Sequence, residues 1–214
     1  MTLSEDFLKF AIEKKALQFG EFFLKSGRLS PYFFNTGNFN SGSSLAQLAN
    51  FYADALIASG IDFDFLFGPA YKGISLAAAV ACALWQRHGR DLPFASDRKE
   101  AKTHGEGGSI LGAGEVLRGG GRRVVIIDDV ITAGTAIREA INFINSVGNN
   151  NIVGVIISLD RQEWVAEEVR MSAVQSVEQE FKLRVISIAN LDSLLEFTGY
   201  DEKVKQYRDK YHCN

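Results

Sequence analysis

Apolar residues along this chain alternate between two spacings. Phe7, Leu8, Ala11 and Ile12 recur at helical intervals behind Ser4, Glu5 and Asp6, which predicts an N-terminal helix. Residues 18–24 and 31–35 read as strands joined by the turn Ser26-Gly27-Arg28. Leu45, Leu48, Ala49, Tyr52 and Leu56 share one face of a helix over 44–59. From there, short apolar runs at 63–67, 93–96, 124–127, 152–159 and 184–188 predict buried strands. Helical patterns separate them at 73–87, 135–147 and 171–181, and the chain from Leu191 onward is mostly helix. Residues 99–109 are polar and glycine-bearing without apolar periodicity, and predict a mobile loop. Strands alternating with helices imply an α/β protein, with a parallel sheet covered on both faces.

The 214 residues suit one α/β domain, and no repeat or linker divides them. A formal net charge of −3 argues against nonspecific nucleic-acid binding. Arg98, Lys99 and Lys102 nonetheless concentrate positive charge, which suits a small polyanion. Cys82 lies in an apolar helical run and reads as a buried small residue; Cys213 is penultimate and reads as frayed. With no disulfide framework, a reducing cytoplasmic setting is expected. The charged N-terminus is unlike a signal peptide, and the apolar run at 74–85 is too short to span a bilayer, so no membrane partner is expected.

The stretch from Val124 to Ala136, VVIIDDVITAGTA, changes the picture most. A buried strand ends in the adjacent carboxylates Asp128 and Asp129, and Thr132-Ala133-Gly134-Thr135 then opens a helix. A helix N-terminus offers unpaired N–H groups and partial positive charge to a phosphate. Carboxylates just before such a cradle suit hydroxyls next to the phosphate, as in a ribose 5-phosphate. Other readings of an apolar strand with an acidic end are weaker. A P-loop NTPase needs G-x-x-x-x-G-K-[ST], which is absent, and Gly112-Ala113-Gly114 lacks the third glycine of a dinucleotide fingerprint. A second anion loop, Gly68-Pro69-Ala70-Tyr71-Lys72-Gly73, follows another strand and precedes another helix. Taken alone, it is as well explained by an ordinary strand-to-helix turn with an exposed lysine. The run Asp97-Arg98-Lys99-Glu100-Ala101-Lys102-Thr103-His104-Gly105-Glu106-Gly107-Gly108 packs three cations and a histidine between acidic residues. Such runs are usually solvated surface, but a cationic loop hinged on glycines also suits closure over a leaving group.

The order strand, acidic pair, T-x-G-T, helix resembles the 5-phosphoribosyl-1-pyrophosphate (PRPP) signature of the type I phosphoribosyltransferases. D-R-K-E-x-K-x-H-G-E-G-G further resembles the catalytic loop of the orotate phosphoribosyltransferases. Leu24-Lys25-Ser26-Gly27-Arg28, Ser30-Pro31-Tyr32-Phe33-Phe34-Asn35 and Ile157-Ser158-Leu159-Asp160-Arg161-Gln162-Glu163 resemble their other motifs.

The resemblance implies a type I phosphoribosyltransferase fold over 1–214, with a hood from about 1–40 plus part of the C-terminal region on a core of about 41–190. It implies Asp128 and Asp129 on the ribose hydroxyls, and Val130, Ile131, Thr132, Ala133, Gly134, Thr135 and Ala136 on the 5-phosphate. Tyr71, Lys72 and Lys25 would contact PRPP. Phe33, Phe34, Thr132 and Arg161 would form the orotate side, Arg161 on its carboxylate. Arg98, Lys102 and His104 would serve the partner's site in a homodimer, and Lys99 its own. The catalytic set would be Lys102, His104, Asp128 and Asp129. Mg2+ would be held mainly by PRPP, with no firm protein ligand. A cis peptide between Ala70 and Tyr71 is also implied. The implied reaction joins orotate to PRPP, giving orotidine 5-monophosphate and pyrophosphate in pyrimidine synthesis. The rivals are a purine or uracil phosphoribosyltransferase and a PRPP-sensing regulator without chemistry.

Overall fold

The computed structural model describes residues 2–24, 26–102, 108–199 and 201–213, with only the backbone of Ala101, Lys102 and Gly108. The chain opens with helix α1 (Leu3–Glu13), started by a reciprocal Thr2–Glu5 capping box. An antiparallel hairpin follows, β1 (Leu17–Phe23) and β2 (Leu29–Phe34), then a 3-10 turn (Thr36–Asn38). The remainder runs α2 (Gly42–Ser59), β3 (Phe65–Phe67), α3 (Lys72–His88), β4 (Phe94–Lys102), β5 (Gly108–Gly112), α4 (Gly114–Arg118), β6 (Arg123–Ile127), α5 (Thr135–Val147), β7 (Asn151–Asp160), α6 (Ala173–Phe181), β8 (Arg184–Asn190), α7 (Leu191–Phe197) and α8 (Glu202–Tyr211).

The main sheet has six strands in the order β5-β4-β3-β6-β7-β8. All neighbours are parallel except β4 and β5. Residues alternate across it. Along β6, Val125 and Ile127 join α1, α2 and α3 on one face, while Val124 and Ile126 join α5 and α6 on the other. Each side is therefore a closed apolar layer, as the continuous hydrophobic runs require. The β1–β2 hairpin is a separate two-stranded sheet. Its Tyr32 ring meets Tyr207 of α8 edge-on, with centroids 6.1 Å apart.

Three expectations are corrected. Residues 99–102 and 108–109 are not loop: they extend β4 and begin β5, with Lys102 paired to Gly108 and Asp97 to Ile110. Backbone ladder bonds need no apolar periodicity, so the polar pattern concealed an antiparallel edge strand and the sheet is mixed. Cys82 is exposed, because it falls on the outer face of α3 beside the exposed Trp85. Cys213 is buried, and its thiol donates to the Gln162 carbonyl at 3.0 Å. No helix among the described residues is long and apolar enough to cross a membrane.

Candidate active site

Parallel β3, β6 and β7 bring the loops after Phe67, Ile127 and Asp160 to one edge of the sheet, where open α/β sheets bind ligands. The β6 loop carries the acidic pair, and both residues are buried. Their backbone is tied from two sides. Tyr52 donates its hydroxyl to the Asp128 carbonyl at 2.8 Å, and Ser158 donates both its N–H (2.9 Å) and its hydroxyl (2.6 Å) to the Asp129 carbonyl. The Asp129 N–H donates to Asp128 Oδ1 at 2.9 Å. Asp129 Oδ2 accepts from Thr36 Oγ1 at 2.6 Å and from Lys72 Nζ at 2.5 Å. One carboxylate oxygen thus links the turn after the hairpin, the β3 loop and the β6 loop.

Burial, and then the adjacent Asp129 charge, push the Asp128 carboxyl up to about 7. The unfolded chain sheds this proton from about pH 4 upward, while the folded protein keeps it until about pH 7. Over that window the unfolded state binds fewer protons, so this group lowers stability as pH rises, with no further change above it. Melting temperatures of the unliganded protein are expected to carry this falling component, and Asp128→Asn is expected to remove it. An unchanged profile in the variant contradicts the assignment.

Residues Val130–Ile137, with Asp128 and Glu139, line a cavity of about 330 Å³. It opens at the N-terminus of α5. Gly134 caps that helix with φ +77°, and a Cβ there would stand 2.8 Å from Arg138 Nη1. Arg138 braces the loop from behind, donating to the Ala133 carbonyl at 2.7 Å and to Glu180 at 2.7 Å. The β3 loop is equally tight. A Cβ on Gly68 would lie 1.9 Å from the Gly73 carbonyl oxygen, so only glycine lets the loop close on α3. The Ala70–Tyr71 peptide is cis, and the Ala70 N–H donates to Asp97 Oδ1 at 2.7 Å.

The two helices that begin at these loops start differently from the other long helices, a trait they share only with the five-residue α4 among the described residues. Helices α1, α2, α6, α7 and α8 each start on a side-chain cap. Helices α3 and α5 have no side-chain cap among the described residues. The first N–H groups of α5 are available to an anion, whereas in α3 those of Gly73 and Ile74 already donate to the Pro69 and Tyr71 carbonyls at 3.0 and 3.3 Å. Tyr71 is exposed and Lys72 half-exposed beside them, and Thr132 and Ala133 of the β6 loop and Thr135 and Ala136 of α5 are exposed too.

A family model described as a phosphoribosyl transferase domain matches residues 35–189. An orotate phosphoribosyltransferase of Stutzerimonas stutzeri is 55% identical over 213 residues, 96% of either chain. The chain belongs to the orotate phosphoribosyltransferase family. One from Pseudomonas fluorescens is 58% identical over 205 residues, covering 94% of this chain and 91% of its own. The crystal structure of the Francisella tularensis orotate phosphoribosyltransferase superposes with TM-score 0.86 at 43% identity, covering 97% of this chain and 99% of that one. A Mycobacterium tuberculosis orotate phosphoribosyltransferase in complex with PRPP shares the fold, with TM-score 0.63 at 20% identity over 90% of this chain and 98% of that one.

Against the residues expected of an orotate phosphoribosyltransferase, the structure is specific. Asp128, Asp129, Val130 to Ala136, Tyr71 and Lys72 come together around one cleft edge. Phe33 and Phe34 point to opposite sides of β2: the exposed Phe33 stacks on Phe22 with centroids 5.5 Å apart, and Phe34 meets Phe7 in the core at 6.2 Å. Arg161 lies one residue beyond β7 and is engaged with Glu163 at 2.7 Å. Lys99 Nζ rests on Glu139 at 3.0 Å, and that hydrogen bond raises its pKa. Arg98 buries an Nε with no partner among the described residues. Lys25, His104 and the Lys102 side chain lie outside the described residues. Thr36 and Arg138 escaped the sequence reading, Tyr52 was read only as a core residue of its helix, and Asp97 only as the start of the charged loop run. Each supports the site through a partner distant in the chain, which no local pattern announces.

Proposed function

We propose that this chain transfers the ribose 5-phosphate of PRPP to orotate, giving orotidine 5-monophosphate and pyrophosphate, with the cleft edge around Asp128 and Asp129 as its site. The observation that carries this reading is the uncapped N-terminus of α5 on one side of the buried acidic pair and Lys72, at the start of α3, on the other. A helix-terminal cradle and a lysine separated by two carboxylates match a ligand with a phosphate at one end, a pyrophosphate at the other and a diol between. Residues Val130 to Ala136 hold the 5-phosphate. Asp128 and Asp129 accept hydrogen bonds from the ribose hydroxyls. Tyr71 and Lys72, with Lys25, meet the pyrophosphate at the β3 loop. Acceptance by Asp128 favours its ionised form, so PRPP affinity rises as pH passes about 7.

The β2 stretch Phe33–Phe34, whose side chains face opposite ways, borders the orotate ring through its backbone together with Thr132, and Arg161 pairs with the orotate carboxylate. The glycosidic bond forms from the orotate ring nitrogen to the anomeric carbon as the bond to pyrophosphate breaks. Negative charge therefore grows on the leaving group. Lys99 of the same subunit, with Arg98, Lys102 and His104 of the neighbouring one, stabilise that charge in a homodimer with shared sites. This reading places the reaction in the cytoplasm.

The donor set also fits magnesium. Among the described residues no three His, Cys, Asp or Glu side chains cluster as ligands, and Lys72 already occupies Asp129 Oδ2. Two carboxylates beside substrate phosphates are the setting in which Mg2+ is carried by the substrate rather than by a protein cage. When bound there, it neutralises charge on the leaving pyrophosphate.

Thr135→Glu tests the phosphate assignment through two readouts of opposite sign. A carboxylate in the first turn of α5 stabilises the helix by about 0.3–1 kcal/mol, so the melting temperature is expected to hold or rise. The same charge repels a phosphate, so PRPP affinity is expected to fall at least about tenfold, ~1.4 kcal/mol. Calorimetry with PRPP and thermal melts measure both. Unchanged affinity in a well-folded variant contradicts the assignment.

A further inference from the structure

A second ionic cluster joins the hairpin, the loop after β7 and the C-terminal helix. Glu163 is its hub. Its Oε1 accepts from Arg161 Nε at 2.9 Å, Arg161 Nη2 at 2.7 Å and the Tyr32 hydroxyl at 3.2 Å. Its Oε2 faces Arg28 Nη1 at 3.4 Å. Arg28 also donates to the Trp164 carbonyl at 2.7 Å and lies 4.1 Å from the Trp164 ring centroid and 4.7 Å from that of Tyr211. Arg161 lies 4.5 Å from the Tyr32 ring centroid. The Glu163, Arg28 and Arg161 side chains are only 8%, 12% and 18% exposed. Two guanidiniums therefore share one carboxylate in a largely buried place, and one positive charge is left for a further anion.

Tyr207 of α8 reaches the same cluster. It is 5% exposed, and its hydroxyl lies beside Glu163 and Arg161 without a hydrogen bond of normal geometry among the described residues. Burial, with the Glu163 charge adding, pushes this phenol up to about 12, so it keeps its proton and can donate. A buried hydroxyl without a partner is costly and calls for a reason.

We propose that Tyr207 is a positioning residue for the orotate carboxylate. When Arg161 turns from Glu163 to the substrate, the Tyr207 hydroxyl donates to Glu163 in its place. Arg28 and Tyr32 stay on the carboxylate, so Glu163 keeps its hydrogen bonds and Arg161 is free to use its outer N–H groups. Helix α8 thereby serves the orotate side of the reaction without touching substrate. The inference rests on the reading of Arg161 as the partner of the orotate carboxylate.

The test uses the full chain with Tyr207→Phe, Arg161→Lys and the double variant, in steady-state kinetics against each substrate. In the free protein this hydroxyl makes no hydrogen bond of normal geometry, so Tyr207→Phe is expected to leave the melting temperature and the KM for PRPP nearly unchanged. It is expected to raise the KM for orotate about tenfold, the scale of one hydrogen bond to a charged group. In the Arg161→Lys background the same change is expected to add little, because the exchange it supports is already lost. A raised KM for orotate in Arg161→Lys with none in Tyr207→Phe overturns the inference alone. An unchanged KM for orotate in Arg161→Lys overturns the reading of Arg161 and the inference with it. A fall in melting temperature with both KM values raised alike assigns Tyr207 a packing role and also overturns it.

Discussion

Asp129→Asn is expected to lower kcat/KM for PRPP by about 10²- to 10³-fold, ~3–4 kcal/mol of lost transition-state stabilisation. The carboxylate holds Lys72 at 2.5 Å and Thr36 at 2.6 Å on one oxygen. Neutralising it weakens a charge-assisted hydrogen bond to the ribose, a contribution of about 1.5–3 kcal/mol, and leaves Lys72 without its counter-ion in the pyrophosphate loop. The fold is expected to survive. An asparagine carbonyl oxygen still accepts from Thr36, and an ion pair with the half-exposed Lys72 contributes little to stability. Kinetics with both substrates beside a thermal melt check both halves. A near-normal kcat/KM in a folded variant would remove the acidic pair from the ribose site.

Lys102→Ala is expected to cut turnover by about 10²- to 10³-fold, the usual cost of losing one preorganised donor to a developing negative charge. Affinity for orotate is expected to change far less, because the charge grows only as pyrophosphate leaves. The defect is also expected to be complemented. Lys102→Ala chains supply good acidic pairs, and Asp129→Asn chains supply good loops. Mixing the two inactive proteins is expected to restore activity, since each hybrid dimer then holds one complete site. No recovery after verified subunit exchange contradicts the shared-site arrangement.

Much of this cleft was legible in the chain because it is built from local signals. The run at 124–127 ended in Asp128 and Asp129 and was followed by Gly134 and a helix, and each piece is visible within a dozen residues. The β3 loop was legible for the same reason, since Gly68 and Gly73 announce a tight strand-to-helix turn. What escaped depends on distant partners. Thr36 is an ordinary residue until a 3-10 turn aims its hydroxyl at Asp129, 93 residues away in sequence. Tyr207 sits in a charged helix with no motif, and only the hairpin packed against α8 gives its hydroxyl meaning. Strand β5 was hidden because an edge strand is held by backbone pairing, which leaves little trace in side-chain pattern. The misreading of Cys213 has the same origin: its thiol is buried by an isolated bridge between Glu163 and His212, which joins the chain end to the loop after β7.

The most direct test of the whole account is a nucleobase panel. Purified protein is given PRPP and magnesium with orotate, uracil, adenine or hypoxanthine, and pyrophosphate release and nucleotide formation are followed. The site described here predicts turnover with orotate, giving orotidine 5-monophosphate, and at most trace turnover with the bases that lack a carboxylate for Arg161. Turnover with uracil or a purine in preference to orotate, or PRPP binding with no turnover on any base, would contradict it.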